Sequence, residues 1–214
     1  MAFEPLSLPP NPNIEAAKSL ARLVKLAEQQ AERQRITNDL LRELPEAELD
    51  AEAHAREHSL EVIVPFLQVA RPGVSIVCVS LGAADLDLCL STGRALARIV
   101  KAGSARGEAP AIVVSSDLNH YLPRRENRAK DVRALDALLR GDPGELFGRV
   151  LGPEEISMCG VLPATALLEA LRHLPPTRPS LLAHGDSADT SGDESHVVGY
   201  AAVLWTHVDR KEPA

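Results

Sequence analysis

The chain has 214 residues, 45% of them hydrophobic and 25% charged, which fits one soluble domain with a single sizeable core. Its 30 acidic and 23 basic side chains give a net charge of −7, and no Lys/Arg stripe is interleaved with aromatics, so nucleic-acid binding is not expected. Three irregularly spaced cysteines argue for a reducing compartment, the first ten residues carry no basic and apolar leader pattern, and the longest uncharged apolar stretch, Val74 to Ala84, is too short for a bilayer; the expected location is cytoplasmic.

Residues 1–13 are rich in Pro and Asn and read as a tail. Asn13 is placed to cap a helix with Ile14, Ala17, Leu20, Ala21, Val24 and Ala27 at helical spacing, a weak apolar face suited to a loosely packed terminal helix or to a partner. A second helical stretch, Thr37 to Leu44, ends near Pro45. A helix over Ala55 to Leu67 should bend or end around Pro65. Val74 to Leu81 and Ala111 to Ser116 are β-branched runs and read as buried strands. Helices are expected over Leu86 to Val100, Arg125 to Leu139 and Gly144 to Leu151, and from Pro163 to near Leu174. Two last strands, Ser180 to Ala183 and Val197 to Trp205, flank a loop over 185–195 dense in turn residues. Apolar strands alternating with helices predict an α/β fold with a mostly parallel sheet flanked by helices.

Three clusters could carry chemistry. Ser115-Ser-Asp-Leu-Asn-His120 follows an expected strand at its carboxyl end, where open α/β sheets place ligand crevices. Asp117 and His120 within one turn could do general acid/base work, since a carboxylate orients an imidazole; on spacing alone the favoured reading is a turn-capping Asp and a surface His. Glu57 and His58 form a second polar cluster. His54 and His58, four apart, would share a helix face and could bind a metal, although His-Ala-Arg-Glu-His is not the zinc-protease pattern. Cys159, just before a helix start, could be a nucleophile or a soft metal ligand, or simply a small hydrophobe, as Cys78 and Cys89 are expected to be. The chain has no P-loop, no dinucleotide glycine fingerprint and no Gly-x-Ser-x-Gly elbow.

Four ordered motifs, Glu57-His-Ser-Leu-Glu-Val-Ile-Val-Pro-Phe-Leu67, Ser115-Ser-Asp-Leu-Asn-His-Tyr121, Met158-Cys-Gly160 and Val197-Val-Gly-Tyr-Ala201, together with the Ser191-Gly-Asp193 loop, resemble the Memo-like family, the B component of the AmmeMemoRadiSam set. The resemblance divides the chain into residues 1–49 that do not look like the family, a Memo-like domain over 50–206, and a tail over 207–214. It implies a fold similar to class III extradiol dioxygenases, with a non-haem metal at the edge of an α/β sheet. Cys159 matches a metal-coordinating cysteine of the family. Asp117 and His120 match pocket residues, His120 at the position used as acid/base by the dioxygenases. Glu57 and His58 would line or support the same pocket.

The family also carries two ligand histidines, in segments resembling Pro-His-Ala-Gly and Gly-Pro-Ser-His. This chain has neither segment, so the N-terminal half is missing or replaced. The resemblance implies iron or copper, yet one matched ligand is too few, because transition-metal sites usually need at least three protein donors. Weak or absent metal binding is therefore expected. Implied partners are a small AMMECR-type protein and a radical SAM enzyme, and a homo-oligomer could cover the incomplete sheet. Competing readings are a metal-dependent dioxygenase-like or redox enzyme, with ligands completed by other residues or another chain, and a metal-free hydrolase using Cys159 and His120.

Overall fold

The structure is a computed structural model that describes residues 12–55 and 57–208. Most of the expected N-terminal tail, and all but two residues of the expected C-terminal one, lie outside that range. Helix α1, Pro12–Glu43, runs without a break through the two helical stretches expected separately. The residues joining them, Glu28-Gln-Gln-Ala-Glu-Arg-Gln-Arg35, are good helix formers. Because the helix already includes Pro12, Asn13 lies in its first turn and is not its cap. The C-terminal end of α1 packs into a small core: Leu40 and Leu44 are buried with Ala95 and Ile99, and Ile36 and Val77 close the cluster.

After α2, Ala51–Ala55, the chain turns away from helix. The Glu57 carboxylate accepts the amides of Ser59 (2.5 Å) and Leu60 (3.3 Å), a local bonding pattern that competes with helical hydrogen bonds. A short 3₁₀ turn, Glu61–Ile63, then leads into α3, Val64–Ala70, with Pro65 in the first turn, where its missing N–H costs nothing. The expected helix over Ala55 to Leu67 is thus two short helices with a turn between them. His54 and His58 do not share a helix face.

Helix α4, Leu86–Ala105, begins at Asp85, whose carboxylate accepts the Leu88 amide at 2.9 Å. The remaining elements are β1 (His120–Leu122), α5 (Arg124–Arg140), α6 (Pro143–Leu151), α7 (Val161–Arg172), β2 (Thr177–Asp186), α8 (Ala188–Ser191) and β3 (Val197–His207). Asp142 caps α6 by accepting the Glu145 amide at 2.8 Å. Helix α7 starts at Val161 after Gly160, two residues earlier than Pro163 suggests, which leaves Pro163 in the first turn. The main core joins α5, α6 and α7 to one face of the sheet, through Leu135, Leu146, Val150, Met158 and Leu168, with Val203 and Trp205 packed against them.

The sheet corrects the expected topology. The described strands form one three-stranded sheet in the order β1-β3-β2, and both pairings are antiparallel, so the sheet is not the mostly parallel one expected. Strands β2 and β3 pair from Thr177 opposite His207 to Asp186 opposite Gly199, with one irregularity between Leu181 and Ala183. Val74–Leu81 and Ala111–Ser116 are not strands and have no ladder partner among the described residues. β3 is central and already paired on both sides, and neither run adds to the outer edge of β1 or β2 among the described residues, so β-branched composition alone does not make them strands. Both runs stay partly exposed, Val113 at 53% and Val79 at 38%. Cys78, expected to be a buried small hydrophobe, is exposed, whereas Cys89 is buried.

Candidate functional site

Residues 156–160 alternate between core and surface: Ile156 and Met158 are buried, while Ser157 and Cys159 are exposed. The core thus anchors this segment by two side chains and turns the other two toward residues 116–120. Gly160 makes the approach close. A Cβ there would sit 2.4 Å from Ser116 Cβ, and the Gly160 amide donates to Ser116 Oγ at 2.8 Å. One residue earlier, the Asp117 amide donates to Cys159 Sγ at 3.1 Å.

His120 opens β1 opposite Val198. Its Nε2 is buried and has no hydrogen-bond partner among the described residues; Asp117 Oδ2 lies 3.7 Å away, beyond hydrogen-bonding distance. One ligand atom from each of Asp117, His120 and Cys159 lies within 4.8 Å of the other two, and among the described residues this is the only such group of three or more His, Cys, Asp or Glu donors. It offers a carboxylate oxygen, an imidazole nitrogen and a thiol sulfur on one side of a surface that Asp117 and Cys159 leave open. A buried polar atom without a partner costs free energy unless something outside the chain satisfies it.

The second polar cluster is tied to the first through the backbone. Ser115 Oγ donates to the Ser59 carbonyl at 2.6 Å, so the 57–60 turn sits beside the start of the Ser115–His120 segment. The Ser59 hydroxyl, donating to the Glu57 carboxylate, holds that carboxyl below its ordinary range, although burial opposes it. Glu57 therefore spends its oxygens on its own turn. His58 is exposed, and among the described residues it makes no hydrogen bond or ion pair with Asp117, His120 or Cys159.

Sequence reasoning missed several residues that build the site. Ser116 and Ser157 contact the donor-bearing segments, and Tyr200 on β3 lies close enough that burial, followed by the Asp117 charge, pushes its phenol up. Nothing in the spacing around Ser157 marks it, since it lies 37 residues from the His120 amide that it accepts. Tyr121, beside His120 on β1, has φ +62°, a left-handed conformation that a bulky residue adopts at a cost.

The sequence profile of the Memo-like protein family matches residues 33–204. The chain belongs to the Memo-like family. A MEMO1 family protein of Aeropyrum pernix is 40% identical over 155 residues, 72% of this chain and 53% of that protein. Others in Pyrobaculum aerophilum and Aquifex aeolicus are each 36% identical, over 75% of this chain and 56% and 58% of their own lengths. The chain thus spans a little over half the length of these Memo-like relatives. The family match opens at residue 33, inside α1, and takes in Glu57, Asp117, His120 and Cys159.

The donor set fits the transition metal that the Memo-like resemblance implies. The fit rests on the unpartnered, buried His120 Nε2, placed beside a thiol and a carboxylate. Imidazole with thiolate suits iron, copper or zinc, and three protein donors are the minimum usually found at an open site.

Proposed function

We propose that this chain forms the thiolate, imidazole and carboxylate side of a metal-assisted acid/base pocket in a Memo-like protein. The observation that carries the reading is the buried, unpartnered His120 Nε2 within 4.8 Å of a Cys159 and an Asp117 donor atom. Cys159, His120 and Asp117 would hold the ion, and a bound ion would supply Lewis-acid polarisation of an oxygen ligand. Cys159 receives the Asp117 amide, a dipole that stabilises negative charge on sulfur. When the ion does not occupy it, His120 Nε2 is free to hold or release a proton, with Asp117 Oδ2 near enough to orient the ring. The sheet and helix α5 behind β1 fix the histidine backbone.

Three donors, two of them on residues open to solvent, make a labile site. Stoichiometric retention would need ligands beyond those of this chain, as the two histidine segments of the family imply. The partners supported by the same resemblance are a small AMMECR-type protein and a radical SAM enzyme.

Cobalt(II) titration tests the reading. The expected result is a saturable thiolate-to-cobalt absorption at one equivalent, abolished by Cys159→Ser and by His120→Ala, and lost on dialysis. No absorption, or binding indifferent to both substitutions, would overturn the metal reading. Binding that survives dialysis would show the three residues to be a complete site.

A further inference from the structure

Asn119 is 1% exposed and uses its whole hydrogen-bonding capacity. Its Oδ1 accepts from the Ser157 amide at 2.9 Å and from Ser157 Oγ at 3.1 Å. Its Nδ2 donates to Asn127 Oδ1 at 2.7 Å. The Asn119 amide donates to Asp131 Oδ1 at 2.8 Å, and its carbonyl accepts from Asn127 Nδ2 and from the Gly199 amide, both at 3.0 Å. Asn127 and Asp131, the groups behind it, are themselves buried on α5. Ser157 closes the ring, because its Oγ also accepts the His120 amide at 2.8 Å.

These contacts bridge two segments that no backbone-to-backbone hydrogen bond joins among the described residues: 116–120, which carries His120, and 157–160, which carries Cys159. Their spacing is therefore set by side chains. Two of the bridges, the Ser116–Gly160 and Asp117–Cys159 contacts, lie at the Cys159 end. The His120 end is held by Asn119 and Ser157. The side chain at 119 must present an acceptor to Ser157 and a donor to Asn127 at once, which an amide of this length does and a carboxylate or aliphatic group does not.

We infer that Asn119 and Ser157 form a clasp that fixes the separation of His120 and Cys159, which makes Asn119 a positioning residue for the proposed metal pocket. The inference rests on that reading for its functional meaning but not for its geometry. Ser157 is exposed and belongs to no helix or strand, so its substitution tests the clasp without opening the core.

The probe is a trivalent phenylarsine oxide. It condenses with two neighbouring thiols, each losing its proton, while the oxide oxygen leaves as water. In a background carrying His120→Cys, Cys78→Ser and Cys89→Ala, the thiol introduced at position 120 and Cys159 should capture the arsenical as a pair. Adding Ser157→Ala should weaken capture about tenfold, the change expected for one or two lost hydrogen bonds, and Ser157→Thr should restore it. Thermal midpoints measured alongside separate loss of spacing from loss of fold. Equal capture with and without Ser157→Ala, in folded protein, would overturn the clasp. Failure of cobalt to bind the unsubstituted chain would overturn the metal reading alone, since arsenical capture does not depend on it.

Discussion

The Asp117 amide points at the Cys159 sulfur across 3.1 Å, joining two residues 42 positions apart in the sequence. This contact separates Cys159 from the other two cysteines. Cys78 is also exposed but receives no comparable donor among the described residues, and Cys89 is buried, with desolvation and then the Asp85 charge pushing its thiol up. Limited alkylation followed by peptide mapping should label Cys159 first, Cys78 second and Cys89 last. Saturating cobalt(II) should protect Cys159 and leave Cys78 unaffected. Labelling of Cys78 ahead of Cys159 would show that the amide contact does not govern reactivity.

Gly160 is the position where a single methyl group should do most damage. Its Cβ would fall 2.4 Å from Ser116 Cβ and 2.7 Å from the Ser115 carbonyl oxygen, and no flexible side-chain end can move aside. Gly160→Ala should cost about 1–3 kcal/mol of stability, as overpacking typically does, and should lower the alkylation rate of Cys159 by pulling its sulfur off the Asp117 amide that favours the thiolate. Chemical denaturation measures the first effect and the labelling assay the second.

Tyr121 carries its side chain at φ +62° with 72% of its surface exposed. A left-handed L-residue costs roughly 1–2 kcal/mol and glycine avoids that cost, while glycine gives back part of the gain through unfolded-state entropy. Tyr121→Gly should therefore leave stability unchanged or raise it by up to about 1 kcal/mol. A clear loss would mean that the ring makes a contact worth more than the strain.

Asp131 is buried, and desolvation raises its carboxyl above the ordinary value despite the Asn119 amide and His184, whose Nε2 lies 3.3 Å from Oδ2. A raised folded-state value means that the native protein binds the proton more tightly than the unfolded chain. The resulting stability is present below the unfolded value and is lost as pH rises through the folded one. Asp131→Asn keeps an acceptor for the Asn119 amide and removes the titration. The variant should show a flatter dependence of thermal midpoint on pH from the ordinary aspartate range upward into the mildly acidic range. Identical slopes in the two proteins would show that another group sets the acid-side behaviour.

Much of the helical scaffold was legible because its signals are local. Asp85 and Asp142 cap α4 and α6, and apolar residues recur at helical spacing in both. The family motifs also singled out Asp117, His120 and Cys159, although spacing alone could not tell a site from a capping turn. The illegible parts depend on distant partners. Whether Val74–Leu81 or Ala111–Ser116 becomes a strand turns on an edge elsewhere in the chain. The break between α2 and α3 follows from Glu57 taking amides that a helix would have used. Ser157 is a serine in a loop until the fold brings the His120 amide to it.

The apolar runs without a ladder partner bear on how the protein behaves in a tube. Val74-Ser-Ile-Val-Cys-Val-Ser-Leu81 is eight residues with no charge and no proline, the composition of segments that stack into cross-β assemblies. Natural sheets blunt such stretches with lysine, proline or a bulge, and none of the first two interrupts this one. Solubility of the chain by itself should therefore fall steeply with concentration and with warming, at temperatures where the α5–α7 core remains folded. Lysine in place of exposed Val79 should raise the concentration at which turbidity appears, with little change in the thermal midpoint.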